Sequence, residues 1–217
     1  MELYYNTVSP LLKRVLFQLI NEPLFDPFRL VGGTNLSLRY GHRLSIDIDL
    51  FTDAEYGSLD FKTFEEYLMT HFLYYNCNDH GDIVGFGRSY YVGNSSDDCV
   101  KIDLMYSDPF IRGIEFIDNI RMASVEDIVA MKMNIISRGG RKKDFWDIHY
   151  LLNLYSLKDM LSLHKERYEW EHDEDSLIRN FTNFSIADNL PNPNCYLNKC
   201  WDDIKLDMIE LVKNFKL

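Results

Sequence analysis

Two acidic residues separated by one position are the first candidates for chemistry in this chain. Asp47 and Asp49 lie in the segment IDIDLF, in which apolar and acidic residues alternate. The alternation predicts a half-buried strand with Ile46, Ile48 and Leu50 on one face and both acids on the other. Carboxylates this close repel each other, and Mg²⁺, which prefers carboxylate oxygens, would relieve the repulsion. A solvated strand face, with acids paired to lysines of a neighbouring strand, is the alternative.

A third acid follows in a second alternating segment, VKIDLM. Val100, Ile102 and Leu104 alternate there with Lys101 and Asp103. If the two strands are neighbours, Asp103 faces the same place as the first two acids. Three carboxylates can hold two Mg²⁺ ions about 4 Å apart, the arrangement used for in-line phosphoryl displacement. A surface acid paired with Lys101 is the alternative for Asp103.

A glycine pair precedes the first acidic segment. Gly32 and Gly33 follow the apolar run Phe28–Val31, which predicts a short strand, and Thr34 is a suitable N-cap for a helix through Tyr40. Glycines between a strand and a helix let backbone N–H groups approach a phosphate, and the N-terminus of the helix favours negative charge. A plain tight turn is the alternative reading.

Basic residues that could face a nucleotide occur in two places. Arg43, together with Arg39 and His42, lies between the glycine pair and Asp47 and could neutralise phosphates, or could be an ordinary solvated cation. Lys132 is flanked at helical spacing by four aliphatic residues, so its ammonium must either reach the edge of an apolar stripe or have a buried anionic partner, such as a triphosphate or a carboxylate.

A dense basic cluster follows in the segment SRGGRKKDFWD. It contains Arg138, Arg141, Lys142 and Lys143, and Asp144 and Asp147 come directly after it. The acids lie in the first turns of the next predicted helix, where the helix dipole favours them, and Lys143 and Asp147 are spaced as an i, i+4 ion pair. A nucleotide-facing role is the competing interpretation for Lys143, Asp144 and Asp147.

The elements that must position these residues fall into two parts. Residues 1–123 predict a mixed α/β core, and residues 124–217 predict a helical lobe that completes the site. The segments behind this division are the predicted helices Pro10–Phe25 and Phe61–Phe72, β-rich segments at 73–76 and 83–92, a helix capped by Ser124 to about Ser137, a break at Gly139-Gly140, a helix at about Arg141–Tyr155, and a last helix Trp201–Phe215.

Composition limits the class of protein. The chain has 217 residues, and because 46% of them are hydrophobic we expect a globular protein. Its formal charge is −11, which argues against a DNA-coating role. We expect no membrane span and no signal peptide. The four cysteines form no CxxC pair, so free thiols and a cytoplasmic location are expected. No Walker motif, HExxH motif or nucleophile-elbow context occurs.

The three blocks together resemble the AbiEii/AbiGii toxin family. They are GGTNLSLRYGHRLSIDIDLF, VKIDLM and ASVEDIVAMKMNIISRGGRKKDFWDIHYLL, and the C-terminal segments SLIRNFTNFSIADNLPNP and WDDIKLDMIELV are also similar to that family. The members are nucleotidyltransferases of the polymerase-beta-like superfamily in bacterial type IV toxin–antitoxin and phage-defence systems. The resemblance therefore implies an α+β nucleotidyltransferase fold with a mixed β-sheet core and a helical C-terminal lobe.

The resemblance also assigns roles to residues. The glycine turn of the family matches Gly32 and Gly33 with Thr34 next, the metal pair matches Asp47 and Asp49, the helical lysine matches Lys132, and the last block matches Lys142, Lys143, Asp144 and Asp147, while Asp103 would be the third carboxylate. A glycine replaces the serine that many superfamily members carry in the turn, and the chain is shorter than many toxins of this type.

The expected reaction is Mg²⁺-dependent transfer of a nucleoside monophosphate from an NTP to an acceptor hydroxyl. Asp47, Asp49 and Asp103 would bind two Mg²⁺ ions, and the glycine turn and Lys132 would contact the triphosphate. Thr34 and Arg43 are also expected to bind the nucleotide. The acceptor would be an RNA such as tRNA, or a protein, and a cognate antitoxin is an expected partner. The alternatives are a nucleotide-binding regulatory module without turnover and a metal-dependent phosphohydrolase.

Overall fold

The structure, a computed structural model, describes residues 2–77 and 84–215. The chain divides into two compact units, which we call the first and the second unit. The first comprises residues 1–40 and 45–123, and the second comprises residues 41–44 and 124–217. The short segment 41–44 is therefore part of the second unit although its neighbours in the chain belong to the first.

The first unit is built on a seven-stranded mixed sheet with the order β3-β4-β5-β2-β1-β7-β6. Its strands are β1 (Arg29–Leu30), β2 (Asp47–Thr52), β3 (Tyr74–Cys77), β4 (Gly87–Ser95), β5 (Asp98–Tyr106), β6 (Glu115–Ile117) and β7 (Ile120–Met122). Strand β2 is parallel to β5 and antiparallel to β1, while β4 is antiparallel to β5. The two alternating segments of the sequence are therefore neighbouring strands.

The register of β2 and β5 sets which residues share a face. Ile48 lies beside Ile102 and Leu50 beside Leu104, and all four side chains are fully buried. The alternation predicted from the sequence is confirmed for these positions. Ile46 is the exception, because it precedes the strand and is 64% exposed.

Three helices of the first unit accompany the sheet: α1 (Pro10–Ile20), α2 (Gly32–Tyr40) and α3 (Phe61–His71). The prediction for the first helix was too long, because α1 ends at Ile20 and a 3₁₀ turn occupies Pro23–Phe25. The prediction that Thr34 caps the second helix was also wrong, since α2 already begins at Gly32. Ile83, the predicted start of a β-rich segment, lies outside the described residues.

In the described part of the second unit the regular elements are mainly helices. They are α4 (Val125–Ser137), α5 (Lys142–Leu151), α6 (Leu157–Arg167), α7 (Glu174–Asn180) and α8 (Trp201–Phe215). Ser124 caps α4 as predicted, and its hydroxyl accepts a hydrogen bond from the Asp127 N–H at 3.0 Å. Helix α4 packs against α5, α6 and α7, and α5 packs against α8.

The predicted fold class, a mixed β-sheet core followed by helices, is confirmed. Within the described residues, no helix is both long enough and apolar enough to span a bilayer. Each of the four cysteines lies in the described part of the chain, and none of them forms a disulfide.

Candidate active site

Carboxylates gather on the polar face of β2 and β5 in the first unit. Asp49 and Asp103 are direct neighbours across the two parallel strands, and Asp47 lies beside Lys101 two positions earlier in the register. These four side chains are partly buried, in contrast to the fully buried aliphatic residues on the opposite face. The structure therefore brings the three predicted acids onto one face of adjoining strands.

Lys101 belongs to this acidic face. Its ammonium donates a hydrogen bond to the Asp103 carboxylate at 2.6 Å, and the Ser89 hydroxyl on β4 donates to the other oxygen of that carboxylate. Burial alone would lower the pKa of Lys101, but the hydrogen bond to Asp103 and the charges of Asp103, Asp47 and Asp49 raise it above its ordinary value. The alternative that Asp103 is paired with Lys101 is thus confirmed for the structure as it stands.

Gly32 lies directly against the carboxylate of Asp49. Its φ is +69°, in the left-handed region that favours glycine, and a Cβ atom at this position would collide with the Asp49 side chain. Gly33 follows it in the first turn of α2 and is buried. The glycine turn is thus required twice, by the backbone conformation and by the close approach of an acid.

Thr34 holds the start of β2. Its side chain is fully buried, and its hydroxyl bonds to Ser45 at 2.8 Å and to the backbone carbonyl of Asp47. The link joins the first turn of α2 to the first residue of the acidic strand. The role that these contacts support is positioning of Asp47, and the predicted contact of Thr34 with a nucleotide stays a prediction.

A buried ionic network occupies the second unit, centred on Asp147 of α5. One Asp147 oxygen accepts hydrogen bonds from Arg43 Nε at 2.7 Å and His42 Nε2 at 2.8 Å, and the other accepts from Arg43 Nη2 at 2.7 Å. Lys132 Nζ lies 2.7 Å from the second oxygen. Asp147 is fully buried, so the bidentate guanidinium and the ammonium compensate a charge that water cannot reach.

Lys132 also holds Asp144. Its ammonium donates to an Asp144 oxygen at 2.6 Å, while the other oxygen accepts from the Arg141 backbone N–H at 3.1 Å and the Arg141 Nε at 3.0 Å. The lysine thus has the buried anionic partner that its apolar surroundings require, and that partner is a pair of carboxylates. Arg141 and Asp144 form the capping box at the start of α5.

The network shifts the pKa values of its members. Burial opposes ionisation of Asp147, but the charges of Arg43 and Lys132 and the bonds from His42 and Arg43 hold its pKa well below the ordinary value. Burial likewise opposes ionisation of Asp144, whose pKa is lowered by Lys132 and Arg141. Burial would lower the pKa of Lys132, yet Asp144 and Asp147 raise it. All three groups are therefore charged near neutral pH.

The structure also places three other basic residues singled out in the sequence, Arg39, Lys142 and Lys143. Arg39 is buried in the first unit, where it bonds to Asn35 at 2.7 Å and to Glu115 at 2.8 Å, so the reading of it as a solvated cation is wrong. Lys142 lies 5.3 Å from the ring centre of Trp201. Lys143 is partly exposed at the start of α5. Its predicted role at the nucleotide stays a prediction.

Sequence reasoning missed the observed partner of His42 and the contribution of Ser89. His42 was weighed only as a phosphate-facing or solvated cation, and the structure places it on Asp147. Lys101 and Ser89 bond to Asp103. The pairing of Lys101 with Asp103 was one of the two sequence-based interpretations, because Lys101 lies two positions before Asp103 and so on the same strand face.

The acidic face, formed by Asp47 and Asp49 of β2 and Lys101 and Asp103 of β5, carries the oxygen donors that a hard divalent cation prefers. Its side chains offer carboxylate oxygens from neighbouring strands, and the absence of a side chain at Gly32 leaves room for the Asp49 carboxylate. Across residues 2–77 and 84–215, no group of three or more His, Cys, Asp or Glu side chains already stands at metal-binding spacing. Metal binding by Asp47, Asp49 and Asp103 stays a prediction.

Comparison with known proteins finds one relative by sequence and several solved structures with a similar fold. An uncharacterised protein of Aquifex aeolicus is 29% identical over 167 residues, which is 72% of this chain and 73% of that protein. The solved structure of JHP933 from Helicobacter pylori is similar with a TM-score of 0.54 at 18% identity, over 93% of this chain and 89% of that one. MenT4, a nucleotidyltransferase toxin of Mycobacterium tuberculosis, is similar with a TM-score of 0.51 at 10% identity, over 87% and 76% of the two chains.

At these identities the solved structures establish the fold alone, and the family rests on the sequence. The model of the nucleotidyl transferase AbiEii toxin family of type IV toxin–antitoxin systems matches residues 14–214, nearly the whole chain. This chain is thus a nucleotidyltransferase that belongs to the AbiEii toxin family.

Proposed function

We propose that this enzyme transfers a nucleoside monophosphate from an NTP to an acceptor hydroxyl in a Mg²⁺-dependent reaction that releases pyrophosphate. The observation that carries the proposal is the position of Asp49, which lies beside Asp103 on the neighbouring strand and against Gly32 at the start of α2. Asp49 thus adjoins both the carboxylates proposed to bind a cation and the glycine turn proposed to bind a phosphate.

Asp47, Asp49 and Asp103 are the residues that would hold the metal. Bound there, Mg²⁺ would neutralise phosphate charge and make the attacking hydroxyl more acidic. Thr34 keeps Asp47 in place through the backbone carbonyl of that residue. Of the two strands that carry the acids, β5 lies farther from the glycine turn in the sheet order, so we assign Asp103 to the acceptor side.

The glycine turn is the proposed binding element for the triphosphate. The first residues of α2, Gly32 and Gly33, present backbone N–H groups that an α-helix leaves without intrahelical partners, and these groups favour anions. In the second unit, Lys132 and Arg43 are paired with Asp144 and Asp147, which supports a role in fixing α5. Contacts of Arg43, Lys132, Lys143, Asp144 and Asp147 with the nucleotide stay predictions.

Membership of the AbiEii toxin family supports a proposal for the acceptor and the partner. We propose an RNA such as tRNA as acceptor, with a protein hydroxyl as the alternative, and a cognate antitoxin as partner. The net charge of −11 disfavours tight nonspecific binding to RNA, so recognition must depend on local contacts.

The test is transfer of label from α-³²P-labelled NTPs to total RNA or total protein in the presence of Mg²⁺. We expect wild-type protein to label one of the two fractions. Asp47→Asn should reduce labelling about 100-fold or more, because it removes an anionic oxygen donor from the acidic face. Asp97→Asn, which makes the same charge change in the exposed turn between β4 and β5, is the matched control.

The same assay separates the alternative functions. Pyrophosphate should appear together with labelled acceptor. Free nucleoside monophosphate without labelled acceptor would indicate a phosphohydrolase, and Mg²⁺-dependent NTP binding without either product would indicate a regulatory module. Undiminished labelling by a folded Asp47→Asn variant would overturn the assigned role of the acidic face.

A further inference from the structure

The acidic face already contains a cation of its own. Lys101 Nζ lies 2.6 Å from the Asp103 carboxylate, and in the strand register Lys101 is the neighbour of Asp47. Asp47, Asp49 and Asp103 carry three negative charges on one face of two adjoining strands, and Lys101 is the cation that the same face supplies. The ammonium thus meets the carboxylates that the proposed function assigns to Mg²⁺.

We propose that Lys101 is a positioning residue that serves as the resident counter-ion of the acidic face and is displaced by the divalent cation. This inference rests on the proposed function, because it assumes that the three acids hold a metal. Lys101 then sets the concentration of divalent cation at which the site fills.

Partial exposure of the pair makes this displacement feasible. The side chains of Lys101 and Asp103 are 32% and 16% exposed, and ion pairs that water can reach contribute little net free energy. The other Asp103 oxygen accepts a hydrogen bond from Ser89, which keeps that carboxylate at its place on β5 when the ammonium leaves. A divalent ion brings twice the charge of the lysine to the same oxygens.

The buried lysine of the second unit provides a contrast. Lys132 is 3% exposed and its two acidic partners are fully buried, so water cannot stabilise the separated charges. Lys132 is therefore a permanent part of its network, whereas Lys101 is exchangeable. The two lysines differ in burial, and both pair with aspartates.

The experiment measures Mn²⁺ binding without NTP, by the electron paramagnetic resonance signal of free Mn²⁺. Lys101→Met removes the competing charge, and we expect about ten-fold tighter binding, the order of magnitude for one charge interaction at partial exposure. Lys101→Arg keeps the charge and should bind Mn²⁺ no more tightly than wild type. Lys62→Met, at an exposed position of α3, makes the same change in net charge and is the control.

Thermal unfolding gives a second readout. Without metal the Lys101→Met variant should melt below wild type, because three carboxylates lose their counter-ion, and Mn²⁺ should raise its melting temperature more than that of wild type. If Lys101→Met does not fold, Lys101→Gln removes the charge while keeping a hydrogen-bond donor for Asp103, and the same tighter binding is expected.

The outcomes separate the two proposals. Equal or weaker Mn²⁺ binding by the uncharged Lys101 variants, or an equal gain in Lys62→Met, overturns the role of Lys101. Unchanged Mn²⁺ binding by Asp47→Asn and Asp49→Asn overturns the metal site itself, and with it the proposed function.

Discussion

At the scale of single residues, Asp49 has two close neighbours. Asp103 lies next to it on β5, and Gly32 lies against its carboxylate. A side chain at Gly32 would occupy the space that the Asp49 oxygens use, and the φ of +69° adds backbone strain to any replacement. Gly32 therefore connects backbone conformation directly to the candidate chemistry.

Gly32→Ala should abolish transfer and destabilise the first unit. The new Cβ collides with Asp49 and also stands at positive φ, so we expect a loss of a few kcal/mol in the free energy of unfolding. Urea denaturation measures this loss, and the labelling assay measures activity.

Gly57→Ala isolates the strain from the collision. Gly57 has a φ of +81°, and a Cβ there would meet nothing within 4 Å. It should therefore cost about 1 kcal/mol of stability and leave transfer unchanged. If Gly32→Ala and Gly57→Ala lost equal amounts of stability and of transfer activity, the contact between Gly32 and Asp49 would matter for neither.

At the scale of elements, the sequence predicted those features that depend on residues close together in the chain. The cap at Ser124 and the alternation of β2 and β5 were readable because the interacting groups lie within a few residues of each other. The two-residue period also placed Asp47, Asp49 and Asp103 on their strand faces. The start of α2 was missed because Gly32 enters the helix through a positive φ, which a general capping rule does not anticipate.

Ion pairs between residues that are distant in the sequence could not be predicted from such local patterns. Arg43 and Asp147 are 104 residues apart, and no periodic pattern connects them. The sequence showed that Lys132 needs an anion but did not choose between a triphosphate and a carboxylate. The answer required the packing of α4 beside α5, which brings Asp144 and Asp147 to the ammonium.

Asp147→Asn should strongly destabilise the pairing of α4, α5 and the segment 41–44. The amide leaves Arg43 and Lys132 with an uncompensated buried charge, which costs about 3–5 kcal/mol. Asp207→Asn is the comparison, because Asp207 is 51% exposed and pairs with His149 at the surface, where the loss should stay below about 1 kcal/mol. Denaturant midpoints measure both, and a similar small loss in the two variants would contradict the buried network.

At the scale of the whole molecule, pH should act through groups whose pKa is depressed by folding. Burial, together with the charges of His172 and Arg138, lowers the pKa of His164 to about 4, from 6.5. The unfolded chain therefore binds more protons in this window, and stability must fall as pH decreases from about 6.5 to 4. Below that, protonation of Asp144 and Asp147, which have lowered pKa values, removes further stability.

We expect the free energy of unfolding to decrease by at most about 1.4 kcal/mol per pH unit from this histidine. His164→Gln should flatten the profile between pH 6.5 and 4 while leaving the steeper loss at lower pH. Urea titrations at half-unit intervals measure the slope. An unchanged slope in the variant would assign the acid sensitivity to other groups.

The path of the chain between the two units has a consequence for how this protein can evolve. Arg43, which neutralises Asp147, belongs to the four-residue segment 41–44, and both sides of that segment belong to the other unit. A recombination event that joined a foreign sequence at residue 124 would deliver the helices without the guanidinium that their buried carboxylate requires. Residues 124–217 therefore cannot be exchanged by themselves between proteins, because they depend on Arg43 from the earlier part of the chain.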